Sequence, residues 1–148
     1  MNKTNVIFIC THNQARSQMA EAFLNKYGSN DFIAESAGLE PGTLNKNVVA
    51  VMKEEGIDIS RNQTKSVFDL FVKGERYDAV ITVCDEASAE RCPIFPGKVK
   101  RLAWSFEDPS SFAGTNEEIM ERTRKVRDAI EAKVNEFIPQ AKEMMYWV

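Results

Sequence analysis

Residues 6–20, VIFICTHNQARSQMA, constrain the fold more than any other part of the chain. They begin with four apolar residues, 6–9, which predict a short buried strand. Cys10 stands where this strand ends. Five residues separate it from Arg16, and a helical pattern begins at Ser17. A strand that leads through a short turn into a helix is typical of α/β proteins built on parallel sheets.

The turn between this strand and this helix is suited to holding an oxyanion. Backbone N–H groups and the positive end of the helix dipole meet at a helix N-terminus. A cysteine at that point is favoured as the thiolate, because the thiolate is itself an anion. Arg16 adds a planar, permanently charged fork that fits tetrahedral oxyanions. We therefore predict that Cys10 is a nucleophile. The predicted oxyanion-binding loop consists of Thr11, His12, Asn13, Gln14, Ala15, Arg16 and Ser17.

Three side chains of this loop have two possible roles each. Ser17 either donates a hydrogen bond to the sulfur of Cys10 or merely begins the helix, and we favour the hydrogen bond. His12 is the only histidine of the chain and could be a general base. Because the helix terminus and the bound anion already favour the thiolate, we expect His12 to point outward instead. We expect Asn13 to brace the loop through bonds from its side chain to the backbone rather than to touch substrate.

Strand and helix patterns alternate along the rest of the chain, which predicts an open, mostly parallel sheet with helices on both faces. Further strands are predicted at 32–36, 77–83 and 99–104, and helices at 17–27, 45–55, 67–72 and 115–137. Ligands of such folds bind beyond the carboxyl ends of the strands. Cys10, Cys84 and Asp108 each follow a predicted strand, so we expect them to converge at one edge of the sheet.

The composition indicates an ordinary globular protein with no nucleic-acid or membrane partner. A chain of 148 residues is long enough for one domain, 1–148, and its net charge of −3 disfavours binding to nucleic acid. No apolar run approaches the roughly 20 residues that cross a bilayer, and the N-terminus does not resemble a signal peptide. We therefore expect a cytoplasmic monomer whose three cysteines are reduced at rest.

Residues 10–23, CTHNQARSQMAEAF, resemble the active-site loop of low-molecular-weight protein tyrosine phosphatases and of the related thioredoxin-coupled arsenate reductases. The resemblance extends to about residue 137. It includes ESAG at 35–38, MKEEGIDIS at 52–60, VCD at 83–85, CP at 92–93 and DP at 108–109. Both groups share a flavodoxin-like α/β fold, an open sheet of four parallel strands with helices on both faces. The resemblance implies this fold here.

Cys84 and Cys92 favour the reductase branch over the phosphatase branch. The phosphatases use a loop cysteine, an arginine and a late aspartate, and they need no further thiol. Asp108 and Pro109 are followed here by Ser-Ser-Phe-Ala-Gly, which resembles the reductases, whereas phosphatases usually have aromatic residues there. The alternative is that Cys84 and Cys92 are inert buried thiols. A non-catalytic redox sensor or anion-binding module is the alternative from another class.

The resemblance to the reductases implies a mechanism. Arg16 and the loop amides hold arsenate, with phosphate or sulfate as analogues, while the Cys10 thiolate attacks the arsenic and Asp108 protonates the departing oxygen. Cys84 then attacks the sulfur of Cys10 and releases arsenite. Cys92 converts the Cys10–Cys84 disulfide into a Cys84–Cys92 disulfide, which a thioredoxin-like donor reduces. A disulfide requires Cα atoms within about 7 Å, so the segment 85–91 is expected to move.

The sequence predicts neither a cofactor nor a metal. Some relatives bind potassium through an asparagine, a glutamate, a serine and an aspartate beside the loop. Asn13, Glu21 and Ser36 match the first three, but the aspartate position falls near Lys65 and Ser66. We therefore expect no metal.

Overall fold

The structure, a computed structural model, describes residues 2–84 and 86–147, without the side chains of residues 86 and 87. Asp85, which belongs to the Val-Cys-Asp motif, and Val148, the last residue of the apolar C-terminal segment, lie outside the described residues.

Four strands form one sheet in the described part of the chain, in the order β2-β1-β3-β4, and each neighbouring pair is parallel. They are β1 (Thr4–Cys10), β2 (Phe32–Gly38), β3 (Ala79–Thr82) and β4 (Lys100–Ala103). This confirms the predicted flavodoxin-like α/β sheet of four parallel strands.

Helices occupy the connections between the strands and follow the last one. They are α1 (Arg16–Tyr27), α2 (Lys46–Glu54), α3 (Val67–Val72), α4 (Glu86–Ala89) and α5 (Asn116–Ala141), with 3₁₀ turns at Pro109–Ser111 and Met144–Trp147. Among the described residues, none of these helices is long and apolar enough to span a bilayer.

The helices cover both faces of the sheet, as predicted, because successive side chains of a strand point to opposite faces. On one face, Phe8 of β1 packs in a buried cluster with Phe23 of α1 and Ile130 of α5. On the other face, Ile7 of β1 packs with Val67 of α3. All five side chains are fully buried, and burying each contributes about 1.5–3 kcal/mol relative to leaving it exposed.

The predicted helix boundaries are confirmed at three capped ends. The side chain of Asn45 accepts hydrogen bonds from two backbone N–H groups at the start of α2. Thr115 and Glu118 form the predicted capping box of α5. Gly56 follows α2 with a φ of 77°, the left-handed conformation that commonly ends helices at glycine.

Several predicted boundaries were wrong, and β1 (Thr4–Cys10) and β2 (Phe32–Gly38) are longer than the predicted 6–9 and 32–36. The last helix does not end near 137, because α5 continues through Pro139 to Ala141. A proline this close to a helix end removes only one hydrogen bond, and the burial of Phe137 and Ala141 holds the last turn. The predicted strand 77–83 shortens to Ala79–Thr82, the residues that pair with the four of β4.

The apolar C-terminal segment packs against the body at its aromatic residues. The ring of Tyr146 lies edge-on to Phe137 with centroids 6.0 Å apart, and Trp147 donates to the carbonyl of Ala141 at 2.8 Å. Met144 and Met145 stay exposed, at 85% and 79%.

The carboxyl ends of the strands bring two cysteines to one edge of the sheet. Cys10 ends β1, and Cys84 lies two residues beyond the end of β3. The amide of Val83 donates to the carbonyl of Ile9 at 2.8 Å, which extends the β1–β3 ladder to that edge. Asp108 follows β4 on the same side, so the predicted convergence of the three positions is consistent with the topology.

Candidate active site

The loop after β1 is fixed through its carbonyl groups, which bond to the segment 39–45. The carbonyls of Cys10, Thr11, His12 and Gln14 accept hydrogen bonds, at 2.8–3.2 Å, from the backbone N–H groups of Leu39, Glu40, Gly42 and Asn45 respectively. In a trans peptide the N–H points opposite to the C=O. The amides that follow these carbonyls therefore face the inside of the loop, where an oxyanion would bind.

Cys10 is 2% exposed, and its sulfur lies on the inside of the loop. The backbone N–H of Asn13 donates to it at 3.1 Å, and the hydroxyl of Ser17 lies 2.9 Å away. Because Ser17 Oγ accepts a hydrogen bond from Asn13 Nδ2 at 2.8 Å, its own O–H is free to donate to the sulfur. Two donors aimed at one sulfur stabilise a thiolate. The structure therefore favours the hydrogen-bonding role of Ser17.

Asn13 braces the loop, as the sequence predicted, and does so through more bonds than predicted. It is fully buried and has a φ of 54°, a conformation that asparagine tolerates better than most residues. Its Oδ1 accepts from the backbone N–H of Lys65 at 2.9 Å, and its Nδ2 also donates to Ser36 at 3.0 Å. Gln18 donates to the carbonyl of Asn13 at 3.0 Å. These bonds hold the turn in the shape that aims the Asn13 amide at sulfur.

Gly38, at the end of β2, allows the loop to lie close to the sheet. A Cβ at this position would lie 2.7 Å from the backbone nitrogen of Asn13 and 2.8 Å from the carbonyl carbon of His12. Real side chains do not make such short contacts with backbone. Glycine is therefore required here for the loop to keep its position.

The bracing bonds continue from Asn13 to a half-buried carboxyl group. The hydroxyl of Ser36 accepts from Asn13 and donates to Glu21 at 2.9 Å. Burial raises the pKa of Glu21, while the bond from Ser36 and the charge of Lys65 oppose the rise. The ammonium of Lys65 itself lies 3.8 Å from Glu35. Asn13, Ser36 and Glu21 are thus connected by hydrogen bonds, with the charge of Lys65 nearby.

Arg16 begins α1 and lies beside the loop that carries Asp108. Its side chain is 8% exposed, its Nη1 donates to the carbonyl of Phe106 at 3.2 Å, and its Nη2 lies 3.7 Å from Asp108. Its Nε is buried and has no hydrogen-bond partner among the described residues. An oxyanion in the loop would give this N–H an acceptor. The Asp108 side chain is 32% exposed and therefore reaches solvent.

His12, Thr11 and Gln14 use their side chains outside the anion position. The ring Nδ1 of His12 donates to the carbonyl of Glu40 at 2.7 Å, which agrees with the predicted outward orientation and not with a general base. Thr11 donates to Ser88 of α4 at 3.3 Å, and Gln14 lies against Gly42. Ala15 is buried beneath the turn.

Cys84 and Cys92 are both reduced and contact opposite faces of the sheet. Cys84 is 5% exposed and belongs to the same buried cluster as Cys10. Cys92 is half-buried against the cluster on the other face, and its thiol donates weakly to the carbonyl of Pro93 at 3.5 Å. Burial raises the pKa of Cys92, against a smaller opposing effect of Arg101. Cys84 and Cys92 therefore pack against different clusters in this reduced form.

The segment between these cysteines contacts the oxyanion loop at Thr11 and the neighbouring segment 39–45 at Glu40. Thr11 bonds to Ser88, and Arg91 pairs with Glu40 at 3.5 Å with both side chains half exposed or more. Exposed ion pairs contribute about 0–1 kcal/mol. These two described contacts, a 3.3 Å hydrogen bond and an exposed ion pair, are individually weak.

Sequence reasoning missed several residues that shape the site. Gln18 bears no chemistry of its own, and its pattern on α1 indicated only a helix. Asn45 was predicted to begin a helix, but not to hold the loop. For Ser36 and Gly38 a signal existed, because they lie in the Glu-Ser-Ala-Gly motif that carries part of the family resemblance.

One cluster of carboxylates lies outside the site. Among the described residues, Glu55, Asp128 and Glu131 bring ligand atoms within 4.8 Å of one another. Arg127 lies 3.7 Å from Glu55 and 2.9 Å from Asp128, and Tyr27 donates to Glu131. These partners account for the cluster as part of the contact between α2 and α5.

Comparisons with known proteins agree with this geometry. The chain is 42% identical to an arsenate reductase of Bacillus subtilis (strain 168) over 142 residues, which cover 96% of this chain and all of that protein. The crystal structure of an arsenate reductase from Archaeoglobus fulgidus DSM 4304 matches 90% of this chain and 98% of its own, with a TM-score of 0.71 and 31% identity.

A thioredoxin-dependent arsenate reductase of Corynebacterium glutamicum matches 91% of this chain and 63% of its own, with a TM-score of 0.61 and 27% identity. The family model described as low molecular weight phosphotyrosine protein phosphatase matches residues 5–145. The chain therefore belongs to the low molecular weight phosphotyrosine protein phosphatase family.

Proposed function

We propose that this protein is an arsenate reductase that passes oxidation from Cys10 through Cys84 to Cys92. The observation that carries the proposal is a buried, hydrogen-bonded Cys10 sulfur inside an oxyanion loop, in a chain with two further free thiols. An oxyanion loop alone would serve a phosphatase equally well. The extra thiols supply the two electrons that reduction of arsenate to arsenite requires, and they support the reductase.

The first step is the binding of arsenate and the attack of Cys10 upon it. The inward-facing amides and the guanidinium of Arg16 hold the oxyanion. The Nε of Arg16, which has no partner among the described residues, thereby gains an acceptor. The Cys10 thiolate forms a bond to arsenic, and one oxygen leaves as water after Asp108 protonates it. Asp108 lies 3.7 Å from Arg16, close enough for both to serve one ligand. Arsenic remains pentavalent at this stage.

The second step moves the electrons. Cys84 attacks the sulfur of Cys10, the sulfur–arsenic bond breaks, and its electron pair stays on arsenic, which departs as arsenite. Two thiols have then been oxidised to one Cys10–Cys84 disulfide. The β1–β3 ladder supports this order, because Cys10 ends β1 and Cys84 lies just beyond β3, so the two cysteines follow neighbouring strands at one edge of the sheet.

The third step requires the segment between Cys84 and Cys92 to rearrange. Cys92 attacks the sulfur of Cys84 and releases Cys10 as a thiolate. Cys92 starts on the other face of the sheet as a half-buried thiol whose pKa burial raises, so it reacts only after the segment has moved. The hydrogen bond of Ser88 with Thr11 and the exposed ion pair of Arg91 with Glu40 are contacts that such a movement can break.

A thioredoxin-like dithiol protein then reduces the Cys84–Cys92 disulfide in the proposed cycle. The thioredoxin-dependent relative supports this partner. Because all three thiols must be reduced at rest, the proposed location is the cytoplasm, where the protein works as a monomer.

A coupled assay tests the proposal directly. Arsenate reduction is followed in the presence of thioredoxin, thioredoxin reductase and NADPH for the wild type, Cys10→Ser, Cys84→Ser and Cys92→Ser. Each serine variant is expected to lose multiple turnover. Retention of steady reduction by both Cys84→Ser and Cys92→Ser would disprove the relay.

Phosphatase activity is the second candidate function, because the family model that matches is that of a phosphatase and the loop fits phosphate. Hydrolysis of p-nitrophenyl phosphate, measured on the same four proteins, separates the two functions. A phosphatase would lose hydrolysis only with Cys10→Ser, and its wild type would not reduce arsenate.

A further inference from the structure

The proposed general acid, Asp108, lies in a loop that packs on the core through Phe106 and Phe112 and buries Pro109. Its Oδ1 accepts from the backbone N–H of Ser110 at 3.0 Å, which fixes the carboxyl group only relative to its own turn. Its Oδ2 lies 3.7 Å from Arg16, and Arg16 also donates to the carbonyl of Phe106 in the same loop. These contacts with Arg16 join the acid to the oxyanion loop.

The contacts of Arg16 with Asp108 and Phe106 weaken when substrate binds, which is the stage at which Asp108 must be in position. The guanidinium must bind the oxyanion during reaction, so the substrate competes with Asp108 and Phe106 for the same N–H groups. The apolar packing of the loop persists while Arg16 binds substrate, but a polar contact that orients Asp108 persists at that stage only if it does not use Arg16.

Asn45 provides such a contact. Its Nδ2 donates to the hydroxyl of Ser110 at 2.9 Å, beside Asp108. Its backbone N–H donates to the carbonyl of Gln14 in the oxyanion loop at 2.9 Å. Its Oδ1 accepts from Asn47 and Val48, which anchors it to the first turn of α2. One half-buried neutral residue thus connects the oxyanion loop, the acid loop and a helix.

We propose that Asn45, through Ser110, is a positioning residue that holds Asp108 beside the oxyanion while Arg16 is engaged with substrate. The inference rests on the proposed function, in which Asp108 is the general acid. It assigns a role to two residues that touch neither the oxyanion nor the sulfur.

Two substitutions remove this bond and leave the other contacts of each residue in place. Ser110→Ala removes the acceptor but keeps the backbone N–H that bonds to Asp108. Asn45→Ser removes the donor, keeps the backbone N–H to Gln14, and caps α2 about as well as asparagine does. Ser105→Ala, at another exposed serine of the same loop, is the matched control.

Each variant is expected to lower kcat for arsenate reduction by about five- to tenfold, a fraction of what a general acid contributes, without changing KM. The double variant should be no slower than the slower single variant, because both remove the same bond. In an Asp108→Asn background neither substitution should slow the reaction further. An equal slowing in that background would overturn the proposal, because the effect would then not act through Asp108.

Backbone ¹⁵N order parameters decide the same question without activity. Those of residues 108–112 are expected to fall in Ser110→Ala and Asn45→Ser and to stay unchanged in Ser105→Ala. Unchanged order parameters in all three variants would overturn the positioning role. If the wild type did not reduce arsenate, the proposed function would fail, and these order parameters would still test whether Asn45 holds the acid loop.

Discussion

The oxyanion loop and the segment between Cys84 and Cys92 differ in how firmly the rest of the molecule holds them. Four carbonyls of the loop bond to the backbone of residues 39–45, and the buried side chains of Asn13 and Gln18 fix its turn. The other segment has a four-residue helix, and its described contacts include a 3.3 Å hydrogen bond from Thr11 to Ser88 and an exposed ion pair between Arg91 and Glu40.

This difference corresponds to the chemistry that each region performs in the proposed cycle. Binding and attack require donors that are in place before the anion arrives, because reorganisation during the reaction would raise the barrier. Disulfide exchange requires a cysteine to travel between partners, and a helix of four residues costs little to unwind. A rigid loop and a loosely held segment are therefore both needed in one small protein.

The largest expected effect comes from the arginine of the rigid region. Arg16→Lys keeps the charge but loses the planar fork, and we expect kcat/KM for arsenate to fall by about a thousandfold. Arg91→Lys is the matched control in the other region, and it should change kcat/KM by less than about twofold because the Arg91–Glu40 pair is exposed. Similar losses in both variants would break the comparison.

A methyl group at Gly38 tests whether the loop must be preformed. Gly38→Ala places a Cβ against the backbone of Asn13 and His12 and should displace the loop. We expect arsenate reduction to slow by about a hundredfold, the effect of misplacing reacting groups by about 1 Å. Gly56→Ala is the control. Its φ of 77° strains an alanine, so the melting temperature should fall, but nothing lies within 4 Å of its Cβ, so kcat should stay unchanged. Full activity in Gly38→Ala would show that the loop adapts.

The hydroxyl of Ser17 is expected to have an intermediate effect, on the reactivity of Cys10. Ser17→Ala removes a donor 2.9 Å from the sulfur. A hydrogen bond to a charged group contributes about 1.5–3 kcal/mol, so alkylation of Cys10 by iodoacetate at neutral pH should slow by about tenfold or more. The rate is measured in the Cys84→Ser Cys92→Ser background, where Cys10 is the only thiol. An unchanged rate would assign Ser17 to the helix start alone.

The smallest effect concerns Cys92 and is read from its pH dependence. Because burial raises its pKa, the native thiol carries less thiolate than an unfolded chain at the same pH. Its alkylation by iodoacetamide, measured in the Cys10→Ser Cys84→Ser background, should therefore rise with pH along a curve displaced to higher pH than in urea. A native curve at lower pH than the unfolded one would mean that Cys92 is already activated at rest.

The strand pattern and the turn chemistry made most of the fold predictable. The apolar runs at 6–9 and 77–83 are typical of buried parallel strands, and Asn45, Gly56 and the Thr115–Glu118 pair are strong local signals. The end of the last helix was mispredicted because the local preference of Pro139 is weaker than the tertiary packing of Phe137 and Ala141. Local propensity does not include such contacts.

Residues within the loop, reactive ones such as Cys10 and the brace Asn13, could be predicted as site candidates, whereas residues that hold the loop from elsewhere in the fold could not. Cys10 and Arg16 follow a strand at a spacing with chemical meaning. Gln18 and Asn45 act through bonds to residues brought near by the fold, and their side chains have no reactivity that would mark them in a sequence.

Mapping the disulfide left by one turnover tests the central claim most directly. The reduced protein is mixed with arsenate without any reductant, quenched with an alkylating agent and analysed by mass spectrometry, for the wild type and for Cys92→Ser. The proposed relay predicts one arsenite per protein for the wild type and for Cys92→Ser. The disulfide is expected between Cys84 and Cys92 in the wild type and between Cys10 and Cys84 in the variant. Arsenite released while Cys84 stays reduced would contradict it.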